Sequence, residues 1–534
     1  MPTDCISLRD TAFASKLICD YVENNPGLHP FYTRFPKLEN FKAQLEAKQT
    51  QFSTEKRTVL VKALTRQYAE ELAPSAQTTK TIESLLSPNT FTVTTGHQLN
   101  LMGGPLYFLY KIISTINLAK QLKKNQPEYN FVPVFWMATE DHDFEEINHF
   151  NFKNKRFQWT KNSSGAVGEL STSDLTEFVT IFSNALGNTI HANRLKELMQ
   201  NAYLKHSNLA ASTRSLVHAL FAEEGLLVID GNDQDLKRLF IPLITSELTT
   251  QNAYRFISET TQKLKALDAA YKTQVNPREI NLFYIRTNFR ERIVLKEGVY
   301  SVLSSDFTWT LEEVLSELES NPERFSPNVI MRPIYQETIL PNLCYVGGGG
   351  ELSYWLQLKS YFESENVVYP ILLHRNSVLL VSEKQQQKLD KLKVSIADLF
   401  QNKQQLISGQ IKNTSKLSID FSNQKEFLKQ QFTAIYELAL QTDKSFMGAV
   451  AAQEKKQTKG LDALEKRLLK AEKKAHKNYI ERLETIYLEL FPNNNLQERY
   501  SNFSQFYLGH GDDFIERLKS ELLPLNQNLQ IFYL

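Results

Sequence analysis

The stretch TFTVTTGHQLNLMGGPLYFLYK, residues 90–111, changes its period halfway, and that change decides the fold. Thr90 to Thr95 is a run of β-branched and aromatic residues, the composition of a strand. From Pro105 to Leu122 the apolar residues recur at helical spacing, and Phe131 to Met137 is a second apolar strand bounded by polar residues. Strand, helix and strand in that order form a βαβ unit, whose two strands pair in parallel with the helix on one face.

Outward from this unit, residues 1–85 read as helical, with Leu45, Leu60, Leu64 and Tyr68 separated by polar positions. Further strands are predicted at Leu226 to Ile229, Leu282 to Arg286, Ile293 to Leu295, Val367 to Leu373 and Val378 to Val381, together making one doubly wound sheet with insertions. Leu226 to Ile229 runs into Asp230-Gly231-Asn232-Asp233, either a solvated turn or the rim of a ligand crevice. Beyond Glu383 the chain is rich in Lys, Gln, Glu and Leu, and no proline occurs until Pro492. Leu461, Leu464, Leu468, Ala471, Ala475, Tyr479, Leu483, Ile486 and Leu490 are spaced by threes and fours, the seam of one long helix. Its expected partner is the region from Lys384 to about Leu406, as an antiparallel hairpin. The organisation predicted is an α/β core over 1–382 with a helical N-terminal region and insertions, a helical coiled coil over 383–492, and a tail over 493–534 that packs back on the core.

Sixty-one basic against sixty acidic side chains leave a net charge of +1, so no global field draws the chain to nucleic acid or to an anionic membrane. Lys466, Arg467, Lys470, Lys473, Lys474 and Lys477 are interrupted by Asp462, Glu465 and Glu472 without an aromatic ladder, which reads as a solvated helix face. Cys5, Cys19 and Cys344 form no Cys-x-x-Cys pair, which fits a reducing cytoplasm and neither a disulfide framework nor a thiolate zinc site. Asp4, Asp10, Asp20 and Glu23 interrupt the first thirty residues, so no signal-peptide core is expected, and no stretch is apolar enough to span a membrane.

Three strings carry chemistry. In the first, Thr95, Gly96, His97 and Gln98 end a strand, and Gly103, Gly104 and Pro105 open the crossover helix that bears Lys111. Pro105 suits a first helical position, and a phosphate or carboxylate could meet the unpaired N–H groups there. Thr94-Thr95-Gly96-His97 also fits the Thr-x-Gly-His signature of nucleotidylyltransferases, and equally an ordinary tight turn. The second, Glu140-Asp141-His142-Asp143 with Glu145, Glu146 and His149, follows an apolar strand directly and should face the crevice of a parallel sheet. Asp141, His142 and Asp143 are the candidate catalytic residues, His142 or Asp143 as base and Asp141 to orient an amine. His142 and His149 with the carboxylates could instead ligate a divalent metal, but the spacing matches no metal motif, so no metal ligand is assigned. The third string, Tyr345 to Trp355, places Gly347, Gly348, Gly349 and Gly350 ahead of Glu351 and Tyr354, either an anion-binding nest or a flexible turn.

Together these strings resemble the bacillithiol biosynthesis cysteine-adding enzymes, the BshC family. Thr95 to Gln98, Gly104 to Tyr107 and Lys111 look like its first motif, and Val132 to His149 is similar to its most recognisable segment. Arg332-Pro333, Gln336, Leu340-Pro341, Tyr345 to Gly348, Glu351, Tyr354-Trp355 and Gln357 to Lys359 look like a third block, and Leu496 to Leu534 follows the family layout. Three positions depart from the pattern: His97 for glutamine, Asn100 for glycine and Cys344 for a small apolar residue. The first departure leaves the role of that side chain open.

The resemblance implies a Rossmann-like core, a coiled coil that mediates homodimer contacts, and amide formation between L-cysteine and glucosaminyl-malate in the last step of bacillithiol synthesis. A free carboxylate must be activated before it forms an amide in water, so ATP, with or without magnesium, is the cofactor implied, through an adenylate or an acyl phosphate. Thr95, Gly96, His97, Gln98, Gly104, Lys111, Gly347, Gly348, Glu351 and Tyr354 are the binding residues expected for substrate or nucleotide. Two rival readings stand beside it: a nucleotidylyltransferase-like enzyme using Thr-x-Gly-His, and a coiled-coil interaction module without catalysis.

Overall fold

The computed structural model describes residues 4–72 and 74–534. The chain forms two compact units, one of residues up to Arg9, Phe13–Leu379 and Asn495–Phe532, the other of Asp10–Ala12, Leu380–Asn494 and Tyr533–Leu534.

At the heart of the first unit are five strands: β1 (Thr90–His97), β2 (Asn130–Met137), β3 (Leu227–Asp230), β4 (Asn342–Gly347) and β5 (Ile371–His374). They pair in parallel in the order β5-β4-β1-β2-β3. Helix α1 (Tyr107–Asn125) is the β1-to-β2 crossover, beginning two residues after Pro105, which closes the preceding turn instead of opening the helix. Alternate side chains enter two cores. Phe91, Val93, Leu343, Val346, Ile371 and Leu373 pack with Leu118 and Leu122 on one face, while Val132, Val134, Trp136, Leu227, Ile229 and Tyr345 join the larger cluster on the other. A sheet covered on both faces explains the unbroken apolar runs. The strand order departs in opposite directions from the β1–β4 pair, so the connections leaving their carboxyl ends diverge and open a crevice. Two helices lie near it, α2 (Met331–Ile339) and α3 (Gly349–Trp355).

Two sequence expectations change here. Leu282–Arg286 and Phe289–Lys296 are strands of a separate antiparallel sheet, with Val299–Val302, Thr308–Trp309 and Phe325–Pro327. Two-residue turns cause this, Thr287-Asn288 and Glu297-Gly298, because so short a link joins only antiparallel neighbours. Positive φ at Glu297 (51°) and Gly298 (81°) is the backbone such a turn demands. Conversely, Asn342–Gly347 was not predicted as a strand, yet it is β4, beside the central strand.

The second unit contains α4 (Glu383–Leu392), α5 (Lys403–Thr414), α6 (Ser422–Ala439), α7 (Lys444–Ala475) and α8 (Lys477–Leu490). The seam predicted as one helix breaks at His476, whose ψ of 26° leaves the helical range, so α7 and α8 find different partners. α5 and α6 pack on α7, with Lys425 reaching Asp462 at 2.7 Å and Glu465 at 2.8 Å. α4 packs on α8, where Lys388 meets Glu489 at 2.9 Å. The region expected to pair with the whole seam therefore divides, α4 meeting α8 while α5 meets α7. Leu483 is buried inside this unit, whereas Phe427, Leu438 and Leu464 are exposed.

Within the first unit, helix Asn40–Gln51 is tied to α2 by a fully buried ion pair. Lys48 Nζ donates to Glu337 Oε2 at 3.3 Å and to the Glu337 carbonyl at 3.1 Å, while Gln336 and Asn342 donate to Glu337 Oε1. Removing one partner strands the other charge in the core. Lys48→Met is expected to lower unfolding stability by about 3–5 kcal/mol, measured by urea titration, with Lys48→Met/Glu337→Gln recovering much of the loss.

Candidate active site

A cavity of about 750 Å³ opens at the carboxyl ends of β1, β2 and β4. Gly96, His97 and Gln98 line it from β1, Met137 to His142 from β2, and Gly348 to Glu351 with Tyr354 from the end of β4 and α3. The opposite wall brings Arg278, Arg290, Arg292 and Asn328 to Ile330, while Arg332, Arg375 and Arg499 complete it.

The cavity floor is a buried network. Lys111 is 3% exposed, and its ammonium donates to the Gly96 carbonyl at 2.6 Å and meets Glu351 Oε2 at 2.6 Å. Glu351 also accepts from the Tyr345 hydroxyl at 2.7 Å and from the Gly348 N–H at 2.8 Å. Burial lowers the lysine from its ordinary value against the pull of Glu351. For Glu351 burial works the other way, and Lys111 with these donors outweighs it and holds the carboxyl below the usual range. A Cβ at Gly96 would lie 3.3 Å from the Tyr345 hydroxyl, a tight contact that glycine avoids.

The arginines are poised differently. Arg375, 3% exposed, follows β5 and gives Nη2 to Glu498 Oε1 at 2.8 Å and Nη1 to the Asn376 carbonyl, but its buried Nε has no partner. Arg332, on α2, gives Nη1 to Gln336 Oε1 at 3.0 Å, and its buried Nη2 is likewise unpartnered. Its guanidinium lies 5.8 Å from the Trp136 ring centre and 5.6 Å from that of Tyr345. A buried donor left unpaired costs free energy, and an anion entering the cavity would recover it.

In the acidic string, Glu140 is bound to the fully buried Lys237, which also donates to the Phe325 carbonyl at 2.7 Å. Asp141 accepts at Oδ2 from Gln98 Nε2 at 3.0 Å and at Oδ1 from the His142 N–H at 2.7 Å. His142 Nδ1 stands 2.6 Å from Arg290 Nη1. A guanidinium only donates, so Nδ1 is the acceptor and the imidazole proton sits on Nε2. That tautomer presents a donor, which argues against His142 as base. Asp143 is the N-cap of Phe144–Ile147, accepting from the Glu146 N–H at 3.2 Å, and is outside the cavity lining.

Other expected residues prove to be scaffold. The Thr95 hydroxyl donates to the Val346 carbonyl at 2.7 Å inside the sheet. Gly104, at φ 67°, forms the turn before α1, where the Leu106 N–H is taken by the Ser501 carbonyl and Asn502 Nδ2 bonds the carbonyls of Met102 and Gly104. The expected anion site at this helix start is thus closed by the chain itself. Gly347 ends β4, its carbonyl accepting from the Arg375 N–H, and the Gly348 N–H serves Glu351, while Gly349 and Gly350 line the cavity. His97 does line the cavity, with Nε2 buried and unpartnered, but burial, helped by Lys111, pushes its pKa down to about 3. That burial favours the neutral imidazole. Arg375 and Arg290 escaped the sequence reading. The placement of Arg375 directly after an apolar strand was the one local sign available.

The family description "Bacillithiol biosynthesis BshC, N-terminal Rossmann-like domain" matches residues 1–376, and "Bacillithiol biosynthesis BshC, C-terminal coiled-coil domain" matches residues 378–534. The chain is 55% identical over 531 residues to a protein of Flavobacterium johnsoniae named "Putative cysteine ligase BshC", covering 99% of both. Proteins of the same name from Flavobacterium psychrophilum and Christiangramia forsetii are 53% and 51% identical, again over 99% of each chain. Among the described residues no helix is long and apolar enough to cross a membrane.

Arg375→Ala is expected to weaken binding of a small dicarboxylate probe by at least about tenfold in calorimetric titration, the scale of one charged hydrogen bond. Equal affinity in the variant would remove Arg375 from the anion site.

Proposed function

The chain belongs to the BshC family, and from that membership and the charge of its cavity we propose that it joins L-cysteine to glucosaminyl-malate in the cytoplasm, as the last step of bacillithiol synthesis. The observation that carries this reading is the pair of buried, unpartnered arginine donors, Arg332 Nη2 and Arg375 Nε, in a cavity that also holds the carboxylate of Asp141. Such a cavity suits a substrate with carboxylates at one end and an amine at the other. The malate carboxylates bind the two arginines, and the glucosamine amine is held by Asp141. Asp141 takes the amine proton as the carbon–nitrogen bond forms and the bond from the cysteine acyl carbon to its leaving group breaks. His142, with its proton on Nε2, donates to the acyl oxygen as negative charge develops there.

ATP fits the same cationic chamber, where Arg278, Arg292 and Arg499 would be left to hold its phosphates, and when bound it would supply the activation of the cysteine carboxyl. Mass spectrometry of the protein with cysteine, glucosaminyl-malate and ATP, with and without magnesium, is expected to show the amide product and cysteine consumption. Asp141→Asn is expected to reduce turnover by at least about a hundredfold with little change in melting temperature. Pyrophosphate release without cysteine consumption would instead support nucleotidyl transfer.

The exposed Phe427 and Leu464 line an apolar groove of about 540 Å³ between α6 and α7, and this face is proposed to carry homodimer contacts. Leu483 is unsuited to probe it because it is buried within its own unit. Phe427→Glu/Leu464→Glu is expected to shift the protein toward monomer in sedimentation at micromolar concentration. A wild type already monomeric there would end the dimer reading.

A further inference from the structure

Arg332 owes its place to a chain of buried amides that begins outside the cavity. Helix Ile241–Thr250 presents Glu247, 1% exposed, whose Oε1 accepts from both the backbone N–H and the side-chain Nδ2 of Asn281 at 2.8 Å. Asn281 is itself fully buried, and it grips two strips of the cavity wall at once. On one side its Nδ2 donates to the Arg278 carbonyl at 2.7 Å and its Oδ1 accepts from the Arg278 N–H at 3.1 Å. On the other, Oδ1 accepts from Asn328 Nδ2 at 3.0 Å and the Asn281 carbonyl accepts from the Asn328 N–H at 3.1 Å.

Asn328 passes this restraint forward. Its Oδ1 accepts from the N–H groups of Ile330 at 2.8 Å and Met331 at 3.2 Å, and its carbonyl accepts from the Arg332 N–H at 2.9 Å. The first turn of α2 is thereby pinned, and with it the backbone that carries the Arg332 guanidinium. The Asn281 amide has both donors and its Oδ1 engaged and therefore one orientation, although Glu247 Oε2 is buried without a partner. Neither Glu247 nor Asn281 lines the cavity.

We propose that Asn281, held by Glu247, is a positioning residue that sets Arg332 for the anionic end of the substrate. The inference rests on the reading that Arg332 binds a substrate carboxylate. If Asn281 acts through Arg332, its loss matters only while Arg332 is present, which a double-mutant cycle measures directly.

Affinity for glucosaminyl-malate and for malate alone is measured by calorimetry in the full chain for wild type, Asn281→Ala, Arg332→Ala and the double variant. Asn281→Ala is expected to weaken binding by about tenfold, and the double variant is expected to match Arg332→Ala within about twofold. Glu247→Gln keeps an Oε1 acceptor and should bind nearly as wild type, whereas Glu247→Leu should resemble Asn281→Ala. Should Asn281→Ala not fold, Asn328→Ser carries the same cycle, since serine retains the helix cap but drops the side-chain bond to Asn281 Oδ1. Wild-type affinity in the Asn281 or Asn328 variant, or effects that multiply with Arg332→Ala, overturns the inference while leaving the functional reading intact. A wild type that binds neither ligand, or an Arg332→Ala variant that binds both unchanged, defeats the functional reading and this inference with it.

Discussion

An ammonium buried at 3% exposure must be compensated where it sits, and Lys111 is the interaction on which the site depends. Its bond to the Gly96 carbonyl fixes the end of β1, and its pairing with Glu351 fixes the start of α3 after β4. Those are the two strands between which the sheet order reverses. The crevice there is a topological consequence, but its depth and polarity come from this pair, which closes the floor and satisfies the glycine N–H behind it. The glycines are therefore present for close approach. Gly96 makes room for the Tyr345 hydroxyl, which also serves Glu351.

A floor that is internally neutral leaves the walls to set the character of the cavity. Arg332 and Arg375 each spend part of their hydrogen-bonding capacity on the protein and keep one buried donor unspent. Glu140 is neutralised by Lys237, so the carboxylate remaining to meet a cation from the acidic string is Asp141, itself oriented by Gln98 and a backbone N–H. The result is a cavity that carries unpartnered arginine donors and the carboxylate of Asp141.

How much of this could be read from the chain depends on how local each feature is. The β1-α1-β2 unit was legible because two periods meet inside residues 90–137. β4 was not, since Asn342-Leu-Cys-Tyr-Val-Gly runs straight into glycines, and the glycines signalled a turn more strongly than four apolar residues signalled a strand. The hairpins at Thr287-Asn288 and Glu297-Gly298 were legible in principle, and assigning their strands to the parallel sheet overlooked what a two-residue link permits. In the site, the acidic string was visible as a block after a strand, but its members separate on folding. Asp141 and His142 reach the cavity, Glu140 is consumed by Lys237, and Asp143 caps a helix. Arg290, Arg332 and Arg375 come from a hairpin, a helix and a strand end, and only tertiary structure brings them to one place.

The segment after the helical unit has a particular part in that assembly. Asn495–Phe532 belongs with the first unit, so the helical region is inserted into the core's chain and not merely appended to it. Glu498 orients Arg375, the Ser501 carbonyl takes the Leu106 N–H, and Asn502 closes the turn at Met102 and Gly104. These four bonds reach the last parallel strand and the first crossover at the same time. The turn before α1, which in isolation has the makings of an anion site, is thus completed by residues about four hundred positions later. The same segment aligns Arg375 through Glu498. The C-terminal segment therefore fixes both the turn before α1 and a guanidinium that lines the cavity, so the cavity's wall depends on the closed chain.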